Sequence, residues 1–212
     1  MGKQIEKLLS ISSDSFSQGA VNIAPDLLLA AGKLGQELKR FLNYKNGFFS
    51  FESALRVFST NKTEFSYDLS TWNSSGLWRA DYADLADGCL FFAEDVFGGQ
   101  FCIKNNLIHA FDPETGGLEE MSQSFEDWAG QILSDHNVWT GYPLAHEWQE
   151  KYGFLPYDQR LMPKVPFVCG GQFDLDNLFS IKVVSGMKSR ANLARQIVDM
   201  PDGSQIEFTV IE

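Results

Sequence analysis

The sequence predicts an α+β fold, and two observations lead to that prediction. Residues 88–117 contain three short apolar runs separated by turn residues, which is typical of three strands in meander order. Helical stretches with apolar residues at spacings of three and four lie on both sides of this meander. Because a sheet of three strands is only marginally stable alone, we expect these helices to cover it.

The strands of the meander are separated by residues that favour tight turns. Gly98 and Gly99 can adopt positive φ and close the first hairpin. Lys104-Asn105-Asn106 supplies the second turn, and Asp112 to Gly116 supplies the third. The predicted strands are Cys89–Glu94, Gln100–Ile103, Leu107–Phe111 and, after the third turn, Leu118–Met121.

The helices are predicted from caps and apolar spacing. Ser124 is a good N-cap for a helix whose residues 125, 128, 129, 132 and 133 form a full apolar stripe. Pro25 suits the first turn of a helix that Asn46-Gly47 should end. Ser50 is expected to cap a short helix with Phe51 and Phe58 on one face, and Pro143 to begin another helix.

The last part of the chain alternates between strands and a helix. Residues 154–164 are expected to form a Pro-containing connector, followed by strands at Val165–Cys169 and Leu178–Val184. A helix from Met187 to Val198 should place Lys188, Arg190 and Arg195 on its outer face. Ile206, Phe208 and Val210 alternate with polar residues, which predicts a final half-buried strand.

These elements suggest three segments in one globular unit. Residues 1–22 are rich in Ser and are expected to form a loosely held arm. Residues 23–140 should form the α+β core, and residues 141–212 a C-terminal α/β extension packed on that core. A chain of 212 residues with 44% hydrophobic residues is long enough to bury such a core.

Negative charge is concentrated around the predicted sheet. Residues 78–127 contain eleven acids and two bases, which accounts for −9 of the net charge of −11. A local field of this kind suits a positively charged partner. The sequence pI of about 4.7 argues against DNA or RNA as a direct ligand, because phosphate binding needs clustered Lys and Arg.

The chain has no sequence mark of a membrane or secreted protein. It contains no run of about 18 apolar residues and no apolar segment of the signal-peptide type near its N-terminus. Cys89, Cys102 and Cys169 form no Cys-x-x-Cys pair. Free thiols of this kind are expected in the reducing cytoplasm, where we expect the protein to act.

No metal-binding pattern is complete. His146-Glu147 begins like the helix of a zinc protease, but that motif needs a second His four residues after the first, and position 150 is Glu. The remaining His and Cys residues are scattered and form no ligand set. We expect neither a metal nor a cofactor.

No catalytic pattern is complete either. Glu94-Asp95 is the best carboxylate pair for acid–base chemistry, yet neighbours on a strand point to opposite faces. Cys102 and His109 flank a hairpin turn and could lie close together, as a nucleophile and its base would. The simpler interpretation is two unconnected sheet residues, so we expect no catalytic residue.

Five segments in order carry a family resemblance. They are the helix end Phe41-Leu42-Asn43-Tyr44-Lys45-Asn46-Gly47, the strand end Leu90-Phe91-Phe92-Ala93-Glu94-Asp95, the hairpin Phe97-Gly98-x-Gln100-Phe101, the turn Phe111-Asp112-Pro113-Glu114-Thr115-Gly116 and the helix start Phe125-Glu126-Asp127-Trp128. Together they resemble the SUKH superfamily of fungal cell-wall assembly regulators and bacterial immunity proteins. The resemblance covers roughly residues 25–140, and the tail from Gly141 resembles an extension in one bacterial subgroup.

The resemblance implies a twisted, mostly antiparallel sheet with helices packed on it. For bacterial members it also implies a protein that neutralises a secreted toxin, often a nuclease, by binding it without catalysis. Since a nuclease must hold phosphate, such a toxin tends to be basic, which fits an acidic binder. The alternative is an intracellular regulator or adaptor like the fungal members.

The residues expected to contact the partner lie near the sheet. Acids there would supply charge complementarity, and aromatic residues would supply anchors. The predicted contact residues are Trp78, Asp81, Tyr82, Asp84, Asp87, Glu94 and Asp95.

Overall fold

A six-stranded antiparallel sheet, with strands adjacent in chain order, forms the centre of the computed structural model, which describes residues 1–201, 203 and 204. The strands are β1 (Phe48–Ser50), β2 (Leu55–Val57), β3 (Leu90–Glu94), β4 (Gln100–Lys104), β5 (Leu107–Phe111) and β6 (Leu118–Ser122). The predicted α+β class and the mostly antiparallel sheet are confirmed.

Helices and a second, two-stranded sheet surround this centre. The α-helices are α1 (Lys3–Ser10), α2 (Pro25–Tyr44), α3 (Leu69–Trp72), α4 (Phe125–Ser134), α5 (His136–Thr140), α6 (Tyr142–Tyr152) and α7 (Val183–Ile197). Short 3₁₀ helices span Arg79–Ala86, Phe167–Cys169 and Leu175–Asn177. The small sheet pairs β7 (Gln159–Pro163) with β8 (Leu178–Lys182).

The turns of the meander follow the predicted chemistry. Gly98 has a φ of 79° in the β3–β4 hairpin loop. Asn105 and Asn106, with φ of 53° and 59°, form a two-residue loop between the paired residues Lys104 and Leu107. Residues in this left-handed conformation match the twist of the flanking strands, which explains why Asn suits the position.

Both faces of the sheet are covered by aromatic side chains. Phe92 contacts Phe125 and Trp128 of α4, and Trp128 is fully buried as the apolar stripe predicted. Its neighbour Phe91 contacts Trp78 instead, which precedes the 3₁₀ helix Arg79–Ala86. Since successive strand residues point to opposite faces, α4 and the Trp78 segment lie on different sides of the sheet.

The N-terminal segment is more ordered than a loosely held arm. Residues Lys3–Ser10 form α1, which packs against α4 and buries Leu8 and Leu9. The backbone N–H groups of Gln4 and Ile5 donate to the carboxylate of Glu126 at 2.7 and 3.2 Å. A distant acid therefore caps α1, and this interaction could not be identified from local sequence.

The short helix predicted after Ser50 is wrong, because this segment is a β-hairpin. Phe51, Glu52 and Ser53 have φ of 51°, 52° and 70°, and they form the turn between β1 and β2. Three successive residues in the left-handed region reverse the chain and cannot continue a right-handed helix. Helical spacing of apolar residues here arises from strands that are buried on both faces.

The C-terminal extension contributes to two apolar clusters. Val183, Met187, Ala191 and Ala194 of α7 join the main core, whereas β7 and β8 contribute to a smaller cluster. The strand predicted at Val165–Cys169 is wrong, since Phe167–Cys169 is a 3₁₀ turn that follows Pro166. The strand predicted around Ile206, Phe208 and Val210 lies outside the described residues.

Candidate functional site

The two aromatic residues expected as partner anchors lie in the core. Trp78 and Tyr82 are fully buried, and the Trp78 ring lies 5.0 Å from Phe91 and 5.5 Å from Tyr82. The Tyr82 hydroxyl donates a 2.8 Å hydrogen bond to the carbonyl oxygen of Pro113, and burial raises the pKa of Tyr82. Both side chains stabilise the fold and present no surface in this conformation.

The three aspartates of the 3₁₀ segment lie at the surface. Asp84 and Asp87 are exposed, and the side chain of Asp81 is 45% exposed. Asp81 Oδ2 lies 3.8 Å from Lys188 Nζ, and Arg195 lines the same shallow cleft. The charge of Asp81 is therefore partly compensated by α7, whereas Asp84 and Asp87 face solvent.

Glu94 is buried between two arginines, in what we call the buried ion cluster (Arg56, Glu94, Gln100 and Arg160). Arg56 and Arg160 both pair with Glu94 Oε1, with Arg160 Nε at 2.6 Å, while Gln100 Nε2 donates to Glu94 Oε2 at 3.1 Å. Burial alone would raise the pKa of Glu94, but the two guanidinium groups outweigh it and lower the pKa. The carboxylate is fully enclosed and charge-compensated.

Asp95 is the next residue, but its side chain folds back onto its own hairpin loop. Its Oδ1 accepts hydrogen bonds of 2.8 Å from the backbone N–H groups of both Phe97 and Gly99. A Cβ at position 99 would lie 2.4 Å from Asp95 Oδ2, so this contact requires glycine. Burial raises the pKa of Asp95 to about 7, although the Gly99 N–H and Arg190 favour the charged form.

A groove with a cavity volume of about 650 Å³ opens beside Asp95. It lies where the ends of β4, β5 and β6 meet the hairpin loop, α5 and the extension. Four acids line it, which we call the groove acids: Asp95, Asp112, Glu114 and Glu119.

The groove acids differ in exposure. Glu119 on β6 and Asp112 in the turn between β5 and β6 are exposed, whereas Glu114 is only 4% exposed. The backbone N–H of Val168 donates to Glu114 Oε2 at 2.9 Å, which joins the turn to the extension. Burial raises the pKa of Glu114.

Apolar side chains surround these acids and form what we call the apolar rim (Phe97, Val138, Phe167, Val168 and Phe173). The rings of Phe167 and Phe173 stack at 3.9 Å, and Phe97 meets Phe167 edge-on at 5.5 Å. Phe173 is 65% exposed and Val138 is 71% exposed. Contiguous exposed apolar side chains at a groove mark interaction surfaces more often than isolated ones do.

Among the described residues that line the groove, Arg190 is the only Lys or Arg, and its predicted outward position is wrong. It is 4% exposed, because it lies three residues after Met187 and directly before Ala191 on the buried stripe of α7. Its Nη1 donates to the carbonyl oxygen of Phe97, and its Nε donates to that of Gly186 at 3.2 Å.

Residues 31–131 match the model of the SMI1/KNR4 family, SUKH-1. The chain contains a SUKH-family domain. The resemblance identified from the sequence is therefore confirmed. No curated protein matches the chain significantly.

The solved structure of Atu4351 from Agrobacterium tumefaciens is similar in fold. The two chains share 11% sequence identity at a TM-score of 0.55, over 88% of this chain and 87% of that chain. At this identity the likeness describes the fold alone. Its coverage extends beyond the 31–131 segment, so part of the similarity lies outside the SUKH-family domain.

The groove is built jointly by the SUKH-family domain and the residues that follow it. All four groove acids lie within residues 31–131, whereas Val138, Phe167, Phe173 and Arg190 come from later in the chain. The domain thus supplies most of the charge, and the later residues supply most of the apolar rim.

The groove can hold a ligand by charge and apolar contact, and the candidate reactive groups do not combine into a catalytic pair there. Glu94 and Asp95 have separate partners and do not act as a pair. Cys102 and His109 are register partners, but Cys102 is fully buried. Within residues 1–201, 203 and 204, no three His, Cys, Asp or Glu side chains are placed to hold a metal ion.

A helix that crosses a bilayer needs about 20 consecutive, mostly apolar residues. In the part of the chain that the structure describes, none combines sufficient length with sufficient hydropathy for a membrane span.

Sequence reasoning counted Asp112, Glu114 and Glu119 in the local charge but did not select them as contact residues. Their location in a turn and an outer strand gave no sign that the extension would approach them. The position of Arg190 could have been found, since it shares the i, i+3, i+4 spacing of the buried face of α7.

Proposed function

We propose that this chain is a non-catalytic protein-binding module, and specifically a bacterial immunity protein that neutralises a basic, nuclease-type toxin by binding it. The observation that carries the proposal is the groove, where four acids and an exposed apolar rim meet a single buried arginine. The match to the SMI1/KNR4 family supports a binding role.

The groove suits a protein partner better than a small polar metabolite. Phe173, Val138 and Val168 are exposed around the opening, where burial by a partner would remove apolar surface from water. The groove acids would pair with cations of that partner and set its orientation. A basic toxin that uses cations to hold phosphate carries the complementary surface.

The exposed aspartates of the 3₁₀ segment have a different proposed role. Asp84 and Asp87 are exposed and do not line the groove. They would therefore act mainly through their long-range field. A charge at the periphery of an interface changes the association rate and its salt dependence more than the dissociation rate. The groove would determine how long the complex lasts.

The test uses a purified basic nuclease toxin domain, taken from a neighbouring gene of the native host if one encodes it, and measures its binding and the inhibition of its nuclease activity. The variant Glu119→Lys/Phe173→Ala changes one exposed acid and one exposed aromatic residue of the groove. We expect the complex to dissociate at least about tenfold faster and nuclease inhibition to weaken in parallel.

The matched control is Asp84→Lys/Tyr152→Ala, which makes the same chemical changes at exposed residues outside the groove. We expect slower association with a flatter salt dependence and a dissociation rate within about twofold of the unmodified chain. Equal dissociation rates for both variants would reject the groove as the contact site. Tight binding to a basic protein that lacks toxic activity would instead support the regulator or adaptor alternative.

A further inference from the structure

Two groove acids, the half-buried Asp95 and the buried Glu114, lack a direct cationic partner. Within the described residues, no Lys, Arg or His nitrogen lies within 4.0 Å of the carboxylate of Asp95 or Glu114. Their hydrogen bonds come from backbone N–H groups: Phe97 and Gly99 donate to Asp95, and Val168 donates to Glu114. A carboxylate that is desolvated without a counter-charge is costly, so both acids favour a ligand that brings one.

Arg190 lies close enough to influence both acids without pairing with either. Its donors are occupied by the carbonyl oxygens of Phe97 and Gly186 and by Met187 Sδ at 3.7 Å. Its charge opposes the rise in pKa of Asp95 and Glu114, but burial outweighs it in both cases.

The apolar rim provides a flat aromatic surface beside these acids. Phe167 and Phe173 are stacked with an interplanar angle of 6°, and Phe173 is 65% exposed. A guanidinium group is planar, stacks on aromatic faces and forms two parallel hydrogen bonds to a carboxylate. The ammonium group of lysine is not planar and does not present two parallel N–H donors. The combination of a carboxylate and an aromatic face therefore favours arginine over lysine.

We propose that the groove receives an arginine side chain of an extended basic segment of a protein partner, with the guanidinium directed to Asp95 and Glu114 and a neighbouring apolar residue on Phe173. This inference rests on the groove being the contact site of the proposed function. It adds the chemistry of the recognised segment, which the family match does not specify.

Binding of this kind is linked to proton release. The arriving cation favours the charged forms of Asp95 and Glu114, so the proton that a fraction of Asp95 holds in the free protein is lost on binding. Affinity should therefore rise with pH through the range in which Asp95 titrates. The other groups whose charges act on these two acids are Glu94, Arg190 and Asp112.

The experiment uses the full chain and capped pentapeptides of sequence Gly-Phe-X-Phe-Gly, where X is arginine, lysine or citrulline. Citrulline has the shape of arginine without its charge. Titration followed by amide NMR should show at least about fivefold tighter binding of the arginine peptide than of the citrulline peptide, with shifts at Phe97, Gly99 and Phe173. Affinity for the arginine peptide should rise about threefold or more between about pH 6 and about pH 8.

Conservative variants remove the charge of each acid and keep one of its acceptor oxygens. Asp95→Asn and Glu114→Gln should each reduce the preference for arginine over citrulline to less than about twofold, and Asp95→Asn should also flatten the pH dependence. Asp87→Asn removes an exposed acid outside the groove and should leave the preference unchanged.

Equal binding of the arginine and citrulline peptides, shifts confined to another surface, or no binding of either at about 10 mM would overturn the inference. A stronger response to lysine would reject arginine specificity. These outcomes are separable from the proposed function. Toxin binding through the groove without arginine preference rejects only this inference, whereas arginine-dependent peptide binding without toxin inhibition rejects only the immunity role.

Discussion

Glu94 and Asp95 are adjacent in the sequence, yet the fold treats their charges in opposite ways. Glu94 enters the buried ion cluster, where two arginines lower its pKa. Asp95 turns into the groove, where burial raises its pKa to about 7 and the nearest cation is engaged with backbone oxygens. Burial alone thus does not determine the charge state of an acid. The placement of counter-charges determines it.

The difference separates a structural site from the proposed binding site. In the buried ion cluster Glu94 pairs with both arginines, so its carboxylate links β2 and β3 to β7 and has no charge left for a ligand. In the groove, Asp95 and Glu114 are desolvated without a salt-bridge partner, so a cationic ligand would relieve an unfavourable state. Variants at Glu94, Arg190, Asp95 and Gly99 test this contrast.

The largest effect is expected for Glu94→Gln, which removes the charge that compensates Arg56 and Arg160. We expect a loss of about 3–5 kcal/mol in the free energy of unfolding near neutral pH, measured by urea denaturation, because two buried guanidinium groups lose their counter-ion. Since the folded pKa of Glu94 is lowered, its contribution is present above the unfolded pKa and is lost as pH falls through the folded value.

The control for Glu94→Gln is Asp84→Asn at an exposed acid, which should change stability by less than about 0.5 kcal/mol. A comparably small loss for Glu94→Gln would mean that the cluster is no more important than a surface charge.

Arg190→Met tests whether Arg190 moderates the charge of the groove acids. We expect a loss of about 2 kcal/mol at about pH 8 and a smaller loss at about pH 5, because without Arg190 the charged forms of Asp95 and Glu114 become less favourable. Unfolding at both pH values provides the measurement. Arg195→Met, at an exposed position of the same helix, should be nearly neutral. A loss that is independent of pH would assign Arg190 a packing role alone.

Asp95→Asn tests the sign of the charge effect in the groove. Because the folded pKa is raised above the ordinary value of 3.8, the unmodified protein loses stability as pH rises from about that value towards 7. Asn keeps an acceptor oxygen for the two N–H groups but cannot ionise. The stability of the variant relative to the parent should therefore increase by about 1–2 kcal/mol between about pH 5 and about pH 8. A decrease over this range would show that Asp95 is stabilised as a carboxylate, like Glu94.

The smallest effect is expected for Gly99→Ala, which changes the position of Asp95 without changing any charge. The new Cβ would lie 2.4 Å from Asp95 Oδ2 and displace the side chain from its loop. We expect a loss of about 1 kcal/mol in thermal unfolding and a weaker pH dependence of stability. Gly76→Ala is the control, because a Cβ there meets nothing within 4 Å. Equal stability and equal pH dependence of the two variants would show that the position of Asp95 against its own loop does not affect its charge state.

Local chemistry made much of the central sheet predictable. Apolar alternation and turn residues identified β3 to β6, and the Ser124 cap with its apolar stripe identified α4, whose cap accepts from the Asp127 N–H at 3.1 Å. The prediction was wrong at β1 and β2, because strands buried on both faces lose the alternation that distinguishes them from a helix. Similarly, α1 depends on a cap from Glu126, more than a hundred residues away.

The candidate site was only partly predictable for a related reason. Asp95 was selected from the sequence and lies in the groove, whereas Trp78 and Tyr82 were selected as anchors and lie in the core. A sequence shows that an aromatic residue stands beside acids, but it does not show on which face of the sheet a helix will cover it. The aromatic residues that do reach the groove opening, Phe167 and Phe173, come from the extension.

The sequence by itself determined the α+β meander and the concentration of −9 of the net charge within residues 78–127. Only the tertiary structure decided which of those acids are neutralised. Arg56 and Arg160 approach Glu94 from strands that lie far from it in the sequence. Arg190 reaches the groove without pairing with Asp95. Coulomb attraction and desolvation depend on distance and burial in space, so neighbouring carboxylates in the chain can end in opposite electrostatic states.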